Sequence, residues 1–84
     1  MNAIKELREY LRRRPSGQSA KTLARLAVAL DSEQEFPLAD LYALPILEFE
    51  LAIELMRDWR LDRYYSSRLS LFDAVHDVLG EEVS

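Results

Sequence analysis

Pro45-Ile46-Leu47-Glu48-Phe49-Glu50-Leu51-Ala52-Ile53-Glu54-Leu55-Met56-Arg57-Asp58-Trp59-Arg60-Leu61-Asp62-Arg63-Tyr64 is the stretch that decides the fold. On a helical wheel, Ile46, Phe49, Leu51, Ala52, Ile53, Leu55, Met56 and Trp59 cover more than half the circumference. Glu50, Glu54, Arg57 and Asp58 fill the remaining arc. A stripe that wide needs apolar neighbours on two sides, so the pattern predicts a central helix. At 1.5 Å per residue it would run roughly 30 Å, about the width of a small domain.

The flanking segments carry helical spacing too. From Ala3 to Arg14, Ile4, Leu7, Tyr10 and Leu11 share one face, and Pro15-Ser16-Gly17-Gln18 breaks the pattern. A second helix is expected from an N-cap at Ser19 to Leu30, with Leu23, Leu26, Ala27 and Leu30 inward. Asp31 to Glu35 reads as an exposed loop. Pro37 opens a short third helix with Leu38, Leu41 and Tyr42 buried, and Pro45 starts a new helix rather than interrupting one. Ser66 or Ser67 caps a last helix to Leu79. Its face is Leu69, Phe72, Val75, Val78 and Leu79, Gly80 is its stop, and residues 81–84 are a frayed tail. The expectation is all-α: a small antiparallel helical bundle of four helices plus one short helix, in a single domain over residues 1–84. The brief connections favour antiparallel neighbours.

Charge is sorted along the chain. Up to Arg25, Lys5, Arg8, Arg12, Arg13, Arg14, Lys21 and Arg25 face only Glu6 and Glu9, a net of +5. The remainder holds 4 basic and 13 acidic residues, a net of −9, giving −4 for the 84 residues. A basic N-terminal helix thus precedes an acidic body, and net charge alone does not describe the partners. With 84 residues the chain buries only about 60% of its unfolded surface, and 49% hydrophobic residues suit a chain that folds. It has no cysteine, which excludes disulfides, thiolate nucleophiles and sulfur-ligated zinc. The longest apolar run, Leu41 to Leu47, is far short of the ~20 residues of a membrane span. No targeting segment is visible, and the chain reads as soluble and cytoplasmic.

Two constellations stand out. Arg12, Arg13 and Arg14, with Lys21 and Arg25 beyond the turn, form a candidate anion-binding set for phosphate or another polyanion. Against it, three adjacent arginines cannot share one helical face, and they also suit their own helix's C-terminal dipole. Arg60, Arg63, Tyr64 and Tyr65 form a candidate protein-binding set, since arginine and tyrosine are enriched at interface hot spots. Neighbouring Trp59 continues the apolar stripe and is assigned to the core.

Several motifs fail on inspection. Residues 15–22 depart from a nucleotide-binding P-loop because Pro15 and Ala20 stand where glycines are required. Lys21 to Leu26 could begin a helix-turn-helix, but the connection to Pro37 is too long and Leu38 to Tyr42 lacks base-reading side chains. His76 with Asp73 and Asp77 makes too weak a metal set. Glu48, Glu50, Glu54 and Asp58 lack the histidines of a di-metal bundle, and Ser66, Ser67 and Ser70 have no identifiable base. No catalytic residue, cofactor or metal is assigned. The expectation is a non-enzymatic protein–protein interaction or regulatory module, its partner an unidentified protein or a second copy. Nucleic-acid or polyanion binding through the basic N-terminal region ranks second.

Overall fold

The structure, a computed structural model, describes the backbone of residues 2–14, 16–61 and 65–83, and within them the side chains of residues 2–14, 16–60 and 68–80. Five helices and no strand occur among the described residues: α1 (Ala3–Arg13), α2 (Gln18–Ser32), α3 (Leu38–Tyr42), α4 (Ile46–Leu61) and α5 (Tyr65–Val83). The chain is the all-α helical bundle that the spacing predicts.

α1 follows its sequence closely. Ile4, Leu7 and Leu11 are buried and Tyr10 is half-buried. Asn2 caps the helix by accepting the Lys5 backbone N–H at 3.1 Å. A second donor at the same end, the Ala3 N–H, reaches the Asp58 carboxylate of α4 at 2.8 Å. Asp58, expected on the exposed arc, is instead buried at 8% exposure. The orphan donors of a helix start require acceptors, and Asp58 is the acceptor that the packing of α4 brings there.

α2 starts earlier and ends later than its sequence implies. Gly17 is the N-cap and makes no side-chain capping bond, so the expected cap Ser19 lies inside the helix. The Thr22 hydroxyl folds back to the Gln18 carbonyl at 3.1 Å. At the other end, Asp31 and Ser32 belong to the helix, and the chain turns at Glu33, which adopts a left-handed conformation (φ 56°). Two N–H groups, of Glu33 and Gln34, return to the Ala29 carbonyl, a closure that replaces the missing glycine stop.

Pro45 does begin a new helix: its carbonyl accepts the Phe49 N–H at 2.8 Å. The enclosure predicted for this helix is only partial. Ala52, Leu55 and Trp59 are buried, Phe49, Leu51 and Met56 are half-buried, and Ile46 and Ile53 are exposed. The cause is topological. α1 packs on α5 and α4, and α2 packs on the same two, so α1 and α2 meet little although they are adjacent in sequence. The main packing therefore joins helices distant in sequence rather than consecutive ones. The third face of α4 is left to α3, five residues long, which cannot cover it.

α5 presents Leu71, Ala74, Val75 and Val78 to the core, while Leu69, expected inside, is exposed. The register is rotated because α5 packs on both α1 and α2. Gly80 does not stop the helix, which continues to Val83. Trp59 is the core residue its position predicts. It meets Phe72 edge-to-face at 6.0 Å, and the Arg68 guanidinium sits 4.4 Å over its ring. Arg68 also donates to the Trp59 carbonyl near the end of α4, tying α4 to α5. The body measures 29 × 25 × 24 Å, so α4, at about 24 Å long, crosses it completely.

Candidate interaction surface

The junction of α3 and α4 buries Leu41 and Leu44 and leaves their apolar neighbours outside. Leu38 is 63% exposed, Tyr42 71%, Ile46 69% and Leu47 74%. The expected burial of Leu38 and Tyr42 fails because α3 is barely longer than one turn and can turn only one side chain inward. The Tyr42 ring leans on Phe49 of α4 with centroids 6.3 Å apart, joining the two helices into one apolar surface.

Leu47 also lines a groove between α4 and α1. The Tyr10 hydroxyl donates to Glu48 at 3.0 Å, and with Ala3–Asp58 at the opposite end this sets the two helices antiparallel. Near Tyr10 the groove opens into a cleft of ≈ 440 Å³ walled by Arg13, Arg14, Leu47, Glu48 and Leu51. Further along, Leu47 and Leu51 also line a shallower cleft of ≈ 190 Å³ whose other walls are Glu6, Glu50 and Glu54. The groove therefore has an apolar floor, a basic end and an acidic end. Burial, reinforced by Glu48, pushes the Tyr10 phenol above its ordinary range, so the Tyr10–Glu48 bond keeps its proton at neutral pH.

The candidate anion-binding residues do not converge on one site. Arg12, Arg13 and Arg14 are exposed, and the latter two share the cleft beside Tyr10. Lys21 and Arg25 are half-buried, and Arg25 lines two other clefts that also contain Asp40. Arg60 is exposed at the end of α4. Arg63 and Tyr64 lie outside the described residues, as does the side chain of Tyr65, the first residue of α5. His76, Asp73 and Asp77 are exposed. Among the described residues no group of three His, Cys, Asp or Glu could hold a metal ion, and no helix is long and apolar enough to cross a membrane.

The exposed apolar surface was not assigned from the sequence. Its signal was present: the run Leu41 to Leu47, split by Pro45, has more apolar side chains than a five-residue helix can turn inward. Comparison with protein-family models, characterised proteins and solved structures gives no significant match, so the reading rests on the geometry.

Proposed function

We propose that this chain is a non-enzymatic protein-interaction module that takes its partner on the α3–α4 surface, in a cytoplasmic setting. One observation carries the reading: Leu38, Tyr42, Ile46 and Leu47, all within ten residues across α3 and the start of α4, each have roughly two-thirds or more of the residue in water. Contiguous apolar surface of this kind marks interaction sites. Covering Leu38, Ile46 or Leu47 at these exposures is worth about 1–2 kcal/mol each, and Tyr42 adds an aromatic anchor. The candidate residue Arg60 is exposed in the last turn of the same helix, at the end opposite Ile46 and Leu47.

The test is affinity capture from the source cells at moderate salt, comparing the wild type with Tyr42→Asp and Leu47→Asp. Both positions are exposed, so folding should survive, as circular dichroism would check. Loss of a salt-resistant polypeptide in both variants supports the reading; capture unchanged by either refutes it. Polyanion binding is the second reading, favoured by exposed Arg13 and Arg14 at one cleft. It ranks lower because Arg25 opens onto other clefts and does not join Arg13 and Arg14 there. Its test is retention on heparin, which should fall steeply with salt and with Arg12, Arg13 and Arg14 all changed to alanine.

A further inference from the structure

The groove between α1 and α4 has an order: basic, apolar, acidic. Arg13 and Arg14 stand at one end beside Glu48, whose carboxylate accepts from the Tyr10 hydroxyl, Leu47 and Leu51 in the middle, and Glu6, Glu50 and Glu54 at the other. Glu6 and Arg13 are seven residues apart on α1, hence on one face about 10 Å apart along the axis. A polyanion laid along the whole groove would meet four carboxylates, three of them beyond the arginine end, and an anionic membrane surface would meet the same repulsion. The fitting occupant is a surface of the inverse order. The same groove rotated by half a turn has that order.

We infer that the occupant is a second copy of this chain, docked groove to groove about a two-fold axis near Leu47 and Leu51. This rests on the interaction-module reading above and names its partner. The axis places Arg13 and Arg14 of each copy over Glu50 and Glu54 of the other, and it brings both pairs of leucines together. Such an isologous contact closes on itself and leaves no sticky end. Two helices of this length side by side cover roughly 500 Å² per copy, at the small end for specific interfaces. The dimer is accordingly concentration-dependent, and its ionic part weakens with salt.

Sedimentation equilibrium of the full chain at low salt tests this. The wild type should show a monomer–dimer equilibrium. Leu47→Asp should raise its dissociation constant by about 30-fold or more, as for a central interface residue. The double variants Arg13→Glu/Arg14→Glu and Glu50→Lys/Glu54→Lys should each weaken the homodimer. A mixture of the two restores both ionic clusters, one as in the wild type and one with its charges reversed, so a mixed dimer forms more strongly than either variant with itself. A wild type that stays monomeric to about 1 mM, the weakest range worth calling binding, overturns the inference. So does a dimer indifferent to Leu47→Asp or a mixture with no mixed dimer. If the monomeric wild type still captures another polypeptide through Leu47, the second copy is excluded while the interaction-module reading stands. If that capture is also absent, both fall.

Discussion

Asp58→Ala removes an acceptor that α4 supplies to the start of α1. The Ala3 N–H that donates to it at 2.8 Å is buried, and Ala3 itself is fully buried, so water cannot readily take the place of the carboxylate. An unsatisfied buried donor costs about 1–3 kcal/mol. Loss of a carboxylate at a helix N-terminus adds about 0.3–1 kcal/mol. The expected loss is therefore about 2–3 kcal/mol, a large fraction of the ~5–15 kcal/mol available to a small domain. Thermal unfolding followed by circular dichroism should show a drop of about 10–20 °C for a chain of this size. Asp58→Asn retains an acceptor oxygen and loses only the charge, so it should cost less than half as much. A loss under about 0.5 kcal/mol for alanine, the range of ordinary surface changes, would refute the reasoning. So would an asparagine variant as unstable as the alanine one.

Three further outcomes are expected. Gly80→Ala should stabilise by about 0.5–1 kcal/mol in urea unfolding, because Gly80 lies within α5 and a Cβ there meets nothing within 4 Å. Glu33→Gly should stabilise slightly, by up to about 1 kcal/mol in the same urea unfolding, since relief of the left-handed backbone is partly offset by a more flexible unfolded chain. Tyr10→Phe should cost about 0.5–1.5 kcal/mol at neutral pH by losing the bond to Glu48. Because the folded phenol is shifted up from 10.0, its contribution is complete below that value and is lost as pH rises through the folded pKa. The difference between wild type and Tyr10→Phe in melting temperature should therefore narrow at alkaline pH.

The amphipathic helix α1 was legible because it buries one narrow face, and 3.6-residue periodicity reports a single face well. Trp59 was legible for the same reason, as the continuation of Ala52 and Leu55. Asp58 was not, since a carboxylate on a wheel looks the same whether it faces water or the donors of another helix. The interaction surface was half legible. An excess of apolar residues on α4 could be counted, but Ile46 and Ile53 looked like core while Leu47 belonged to neither arc. The basic cluster was conspicuous in the chain, yet Arg25 opens onto different clefts from Arg13 and Arg14.

The order of residues by itself determined helical structure throughout, the restart at Pro45 and the identity of most core side chains. These depend on backbone chemistry and local periodicity, which act within one or two turns. Tertiary structure alone decided which side of α4 stays wet, that Asp58 turns inward, and that one groove orders positive, apolar and negative groups. Each of these depends on which helices become neighbours, and that choice is made by shape and burial over the whole body rather than by any single segment.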